Sequence, residues 1–222
     1  MCAMPTPQTD DVLADALAGH HLLTHPFYRR WEAGTLAEGE LAAYAAQDRH
    51  LEGELPRTLA AIAAALPDGT ARRLVEANLA DELGSPAPHT ALFESFATAA
   101  GATDQVAATA ATHALLESIR AAVSTDPVAA LAMVAAYEVQ AADIAASKSA
   151  GLRRHYGMDA EGTSFWDVHA GLEIEHAGWS VQALDDLGAD PAIVLSAART
   201  AATGWWEFLS ERDQLAPVGA SC

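Results

Sequence analysis

His169, Glu173 and His176 lie in the stretch "FWDVHAGLEIEHAGW", residues 165 to 179, which otherwise reads as helix. A helix turns about 100° and rises about 1.5 Å per residue, so His169 and Glu173 differ by roughly 40° around the axis and His169 and His176 by roughly 20°. One stripe about two turns long therefore presents two imidazoles and a carboxylate. That donor set suits iron, manganese or zinc. Apolar Phe165, Trp166, Leu172 and Trp179 flank the stripe, which points it partly toward a core. An exposed polar face would carry the same residue types, so partners elsewhere in the chain decide the matter.

Two further segments offer such partners. Glu138 sits in "LAMVAAYEVQAADIAA", where positions 134, 135, 141, 142 and 145 on the same face are valine or alanine. A carboxylate there is buried or nearly so and needs a cation, a donor or a metal; an arginine ion pair is the alternative to a metal. Glu82 closes one helix and His89 opens the next, across "LGSPAP". Three carboxylates and three histidines can serve two metal ions with positions left open, as in dinuclear carboxylate sites that activate dioxygen. The ferritin-like version of that site needs two Glu-x-x-His pairs. Glu173 and His176 form one and no second is found, so that template fails.

The elements that must position these groups read as helices throughout. "DDVLADALAGHHLL" begins behind Thr9-Asp10, and "HPFYRRWEAG" forms a short second piece or a continuation. A long helix is expected over about 36 to 66, kinked at Pro56. Others cover "DGTARRLVEANLADELG", about 89 to 100, and about 105 to 124. A long one opens at Asp126-Pro127 and ends near Gly151 or Gly157, followed by about 162 to 187 and about 192 to 211. No β-branched run alternates with polar residues, so no sheet is expected. The expected fold is all-α, one domain over 1–222 built as a bundle of seven to eight helices, with flexible tails at 1–9 and 213–222.

Composition narrows the partners. Half of the 222 residues are hydrophobic, with alanine dominant, and the net charge is -18, with Asp+Glu 30 against Lys+Arg 12. Such a surface repels phosphate backbones and anionic lipid, so neither nucleic acid nor membrane is expected as a partner. Cys2 and Cys222 stand near the two ends, which argues against a disulfide framework, a thiolate metal site or a core cysteine nucleophile. The first residues hold no basic stretch followed by an apolar run, and the alanine-rich run near 128 is interrupted by Glu138 and Asp143. A cytoplasmic location is expected.

With these positions in place, the chain resembles the heme-oxygenase-like diiron oxidases, a seven-helix family related to TenA-type thiaminases and pyrroloquinoline-quinone synthase. That family's pattern is a Glu with a His seven residues later, a lone Glu in a mid-chain helix, and His-x3-Asp/Glu-x2-His near the end. Glu82 and His89, Glu138, then His169, Glu173 and His176 fill every position, with Glu173 where many members have Asp. "HPFYRRWEAGTL" and "YEVQAADIAASKSAGLRRHYG" look like the family too, and the resemblance covers nearly the whole chain.

A closer resemblance is to the CADD type, the chlamydial protein associating with death domains and its bacterial relatives. These are para-aminobenzoate synthases linked to folate metabolism, which make the product from one of their own tyrosines with a lysine implicated as amino source. The matching positions are Tyr28 in "HPFYRR", Tyr44 in "LAAYAAQD" and Lys148 in "AASKSAGL". The resemblance implies two iron ions, or a manganese–iron mixture, with dioxygen and an electron donor as co-reactants. It further implies Tyr28 as the consumed group, Tyr44 in radical relay or positioning, Lys148 as nitrogen source, and a homodimer. Lys148 lies about 15 Å along the helix from Glu138 and about 80° around it, a position that can border the same cavity.

Bland readings stand beside these. Tyrosines at helix starts are commonly core residues with a wet hydroxyl, and Lys148 can be a solvated helix-end lysine. A diiron oxidase acting on an external amino or fatty acid, by N-oxygenation or oxidative C–C cleavage, is the second expectation. A non-enzymatic helical interaction protein is the third, and it predicts no metal. TenA chemistry uses a core cysteine, and the quinone synthase is cofactor-free, so both fit poorly. His50 with Glu54 and His113 with Glu117 read as surface i,i+4 pairs.

Overall fold

The structure, a computed structural model of the chain, describes residues 8–84, 87–102 and 105–214. Among them the elements are α1 Thr9–Leu17, a 3-10 turn Leu22–Thr24, α2 Pro26–Ala33, α3 Glu40–Glu52, α4 Leu55–Ala65, α5 Thr70–Glu82, α6 His89–Ala99, α7 Ala110–Thr125, α8 Pro127–His155, α9 Ser164–Asp186 and α10 Pro191–Gln214. No strand occurs among the described residues.

Local chemistry fixes the helix that organises the rest. The Asp126 carboxylate accepts from the N–H groups of Val128 and Ala129, Pro127 occupies the first turn, and Arg153, Arg154 and His155 close the last turn of α8. Its 29 residues span about 43 Å. The first half of α8 shares one hydrophobic core with α1, α4, α5, the end of α9 and the start of α10. Its second half shares another with α2, α3, α6, the start of α9 and the end of α10. Helix α9 therefore runs antiparallel to α8, and α10 runs alongside it. Glu138 and the 169–176 stripe fall in the middle, where the two cores meet.

Several expectations are corrected in detail. The run from 36 to 66 is two helices rather than one kinked helix, broken at Gly53 and Glu54, with Pro56 in the first turn of α4. Proline lacks the N–H that a continuous helix would use, and its ring would press on the carbonyl four residues earlier. Helix α7 starts at Ala110 rather than near 105 because side chains hold the preceding segment extended. Gln47 donates to the Ala107 carbonyl at 3.1 Å and accepts from the Thr109 N–H, and His50 bonds the Val106 carbonyl at 2.9 Å. Neither surface pair forms, since Glu54 is engaged by Arg120 at 2.8 Å and Glu117 by the same guanidinium at 3.0 Å.

Thr9, Asp213 and Gln214, expected in the tails, lie within helices. Thr9 is helical and donates to Asp185 at 2.5 Å, and Asp213, within α10, pairs with Arg30 at 2.9 Å. The rest of the proposed tails, with Cys2 and Cys222, lies outside the described residues. Helix α8 is long and apolar enough to cross a membrane despite Glu138 and Asp143, but 67% of that stretch is buried inside the bundle. It reads as a core helix.

Candidate metal centre and tyrosine–lysine cluster

Four helices deliver the six candidate ligands to one place. Glu82 comes from the end of α5, His89 from the start of α6, Glu138 from mid-α8, and His169, Glu173 and His176 from α9. Each is 6% exposed or less. One ligand atom from each of Glu82, His89 and His169 lies within 4.8 Å of the others, and the same holds for Glu138, Glu173 and His176. Glu173 faces both groups, with Oε1 3.9 Å from His169 Nε2 and Oε2 3.9 Å from His176 Nδ1.

The lone pairs point inward because other groups take the remaining atoms. The His169 Nδ1–H donates to the Phe165 carbonyl at 2.8 Å, which leaves Nε2 free. The His176 Nε2–H donates to Asp81 at 3.3 Å, which leaves Nδ1 free. Glu138 accepts from Asn78 at 2.7 Å and Ser180 at 2.5 Å, so the arginine pairing weighed for it does not occur. At the centre, Glu82 Oε1, Glu173 Oε2 and both His89 nitrogens are buried without a hydrogen-bond partner. His89 Nδ1 comes within 3.1 Å of Glu82 Oε2 without hydrogen-bond geometry. Converging unpartnered groups on Glu82, His89 and Glu173, beside His169, His176 and Glu138 held by outer hydrogen bonds, fit metal ions better than any ion pair among themselves.

The electrostatics agree. Burial lifts the Glu173 carboxyl well above the usual range, and Glu138, Glu82 and Glu52 add to the lift. Burial also raises Glu138, against the bonds from Ser180 and Asn78. Burial pushes Glu82 up, but the close approach and charge of His89, with smaller pulls from His169 and His176, bring it below its ordinary value. Burial brings His169 down to about 4, against the pull of Glu82, so its imidazole is neutral and available as a ligand. Oxygen and imidazole donors around concentrated negative charge call for a divalent cation such as iron or manganese.

Tyr28, Tyr44 and Lys148 also meet. The Lys148 Nζ donates to the Tyr44 hydroxyl at 2.6 Å, and the Tyr44 and Tyr28 hydroxyls are 3.1 Å apart. The Nζ lies 3.9 Å from the Trp166 ring centre and 4.7 Å from each tyrosine ring centre. Lys148 is 2% exposed, so the solvated-lysine reading fails. Burial draws its amine down to about 8, against Asp48 and Glu52. Aromatic contacts join the two clusters, with His169 to Phe165 at 4.0 Å between ring centres and Phe165 to Trp166 at 4.7 Å. An apolar cavity adjoins the candidate ligands and reaches Trp166, bordered by Glu138, His169, Glu173, Trp166, Met133 and Trp205.

Residues 42–206 match the family described as "Iron-containing redox enzyme". The chain belongs to that family. Its curated relatives include proteins named 4-aminobenzoate synthase. The one from Nitrosomonas europaea is 35% identical over 87% of this chain and 86% of its own length. The one from Chlamydia trachomatis is 30% identical over 96% and 94%. Among solved structures, a TenA homologue from Pseudomonas syringae matches with a TM-score of 0.82 at 17% identity, covering 94% of each chain. A domain with a heme oxygenase-like fold from Shewanella denitrificans matches at 0.70 and 15% identity, over 93% of this chain and 89% of that one. The fold of this family member is heme-oxygenase-like, as the resemblance implied.

Some residues that shape the site were not singled out from sequence. Ser180 continues the α9 stripe at the next ligand spacing after His176, and Asn78 and Asp81 sit within one turn of Glu82, so the helical period could have found them. Composition held a further signal. Among the 12 cationic side chains, Lys148 is the sole lysine, and it is buried. Asp48 and Glu52 continue the α3 face of Tyr44 at intervals of four, and Trp166 carries the lysine. Nothing in the sequence marks Trp166 as anything but core.

Proposed function

We propose that this chain is a 4-aminobenzoate synthase that makes its product from its own Tyr28, takes nitrogen from Lys148, and uses two metal ions with dioxygen and an external electron donor. The observation that carries this reading is the sealed Tyr28–Tyr44–Lys148 cluster, built around the sole lysine of the chain and adjoining the ligand set. The names of the curated relatives support it. Glu82, His89 and His169 would hold one ion, and Glu138, Glu173 and His176 the other. A redox-active pair of iron ions, or manganese with iron, supplies electrons to dioxygen and oxidising power toward an aromatic ring.

The chain's own groups do the rest. Burial holds the Tyr28 and Tyr44 phenols well above their ordinary ionisation range, so both stay protonated until they are oxidised. Tyr44 fixes the Tyr28 hydroxyl and the Lys148 amine about one oxygen, which brings the nitrogen to the ring it is to enter. Trp31, Phe27 and Trp166 pack around the cluster and keep water out. One chain then makes one product molecule.

The test uses protein grown with lysine labelled with 15N at Nζ and loaded with ferrous iron, then given oxygen and a reductant. The expected result is 4-aminobenzoate carrying the label, with a matching mass loss at Tyr28 and no product from Tyr28→Phe. Unlabelled product from an unaltered chain would overturn the reading. The apolar cavity beside Glu138, His169 and Glu173 favours a second reading in that event, oxidation of an external amino or fatty acid.

A further inference from the structure

Asp48 belongs to neither ligand group, yet it is 1% exposed and neither of its oxygens has a hydrogen-bond partner. A buried carboxylate left this way is costly unless it is neutral or has a charge to answer. It stands one turn beyond Tyr44 on the same face of α3, and no hydrogen bond joins the two side chains. Of the two buried cations that act on it, Arg212 directs Nη1 to Thr112 at 3.1 Å and Nη2 to Thr109 at 2.5 Å and to Glu211. The other is Lys148, whose Nζ already donates to the Tyr44 oxygen at 2.6 Å. Because that oxygen accepts from the lysine, the hydrogen of Tyr44 is free to turn outward, toward Tyr28 or Asp48.

We propose that Asp48 is the proton acceptor for Lys148, reached through the Tyr44 hydroxyl. The step balances simply. An Nζ–H bond breaks and its proton joins the Tyr44 oxygen, while the Tyr44 hydrogen passes to the Asp48 carboxylate. Lysine becomes a neutral amine, aspartate becomes a neutral acid, Tyr44 is unchanged, and no electron moves. An ammonium has no lone pair to offer a ring, so a nitrogen donor sealed from water needs such an acceptor. Burial shifts the two groups toward each other, raising Asp48 against the pull of Lys148 and lowering Lys148 against the pull of Asp48. The titratable groups around the pair are Tyr28 on α2, Tyr44 and Glu52 on α3, Tyr137 on α8 and Arg212 on α10.

The purpose of the transfer rests on the reading of Lys148 as nitrogen donor, but its test needs no turnover. Metal-free protein grown with lysine labelled 13C at Cε and 15N at Nζ gives a single side-chain signal, because the chain has one lysine. A pH titration of that signal reads Lys148 directly. In Asp48→Asn the midpoint should fall by about one pH unit or more, a tenfold loss of proton affinity, and Asp48→Glu should restore it. Glu52→Gln should move it less. Should Asp48→Asn not fold, the wild-type signal carries the test, since it should show a second, acidic inflection that Tyr44→Phe abolishes. A midpoint unmoved by Asp48→Asn, or a single inflection unaffected by Tyr44→Phe, overturns the proposal. A shifted midpoint with unlabelled 4-aminobenzoate leaves the proton pair standing and removes the donor role. Labelled product with an unmoved midpoint removes Asp48 alone.

Discussion

Lys148 is a cation placed where charge is least welcome, and that placement has a measurable signature. Burial draws its amine to about 8, whereas a lysine in the unfolded chain titrates near ~10.4. Between those values the unfolded chain keeps a proton that the folded chain has released, so stability rises with pH from about 8 to about 10. Below pH 8 the buried ammonium costs up to about 3 kcal/mol, at roughly 1.4 kcal/mol per unit. We expect Lys148→Met to melt higher than wild type at pH 7 in the metal-free state, with the gap narrowing toward pH 10. Thermal melts across that range decide it, and a gap that does not change with pH would count against the buried charge.

At the scale of elements, the cluster depends on how closely α2 lies on α8. Gly151 faces Trp31, and a Cβ placed there would sit 2.9 Å from Trp31 Cδ1 and 3.2 Å from the Trp31 carbonyl oxygen. The ring could turn, but the carbonyl moves only with its helix. Trp31 Nε1 also donates to the Lys148 carbonyl at 3.2 Å, so α2 registers on the same turn of α8 that carries the lysine. Gly151→Ala should therefore destabilise the protein by about 1–3 kcal/mol through overpacking, despite a helix-propensity gain of about 1 kcal/mol. It should also lower the yield of product, because Tyr28 lies one turn before Trp31. A higher melting temperature in this variant would show that the two helices have room to spare.

The whole molecule brings four helices to two ligand groups, and metal ions should clamp them. In the metal-free chain, Asn78 to Glu138 and His176 to Asp81 tie α5 to α8 and α9, while Glu82 Oε1, Glu173 Oε2 and both His89 nitrogens are buried between the helices without a hydrogen-bond partner. Two ferrous ions per chain are expected after anaerobic loading, with a rise in melting temperature and slower amide exchange at the end of α5 and the start of α6. His89→Ala should retain about one ion, since it disrupts one ligand group and leaves the other. Retention of both ions, or of neither, would mean that the groups do not act separately. Much of this was legible beforehand. The period of α9 placed three ligands on one stripe, and Asp126-Pro127 marked the start of α8, because both follow from local backbone geometry. The division of the 36–66 run at Gly53 and Glu54 was misread as a kink, and the late start of α7 was hidden, since Gln47 and His50 impose it from a distance. The sequence by itself determined which residues could bind metal and that a helical bundle would hold them. Only the tertiary structure decided that the six candidate ligands divide into two groups, that Trp166 lies over the lysine, and that the buried Asp48 carboxylate has no hydrogen-bond partner. Helical periodicity orders side chains along one axis, whereas meetings between axes depend on packing that no single segment encodes.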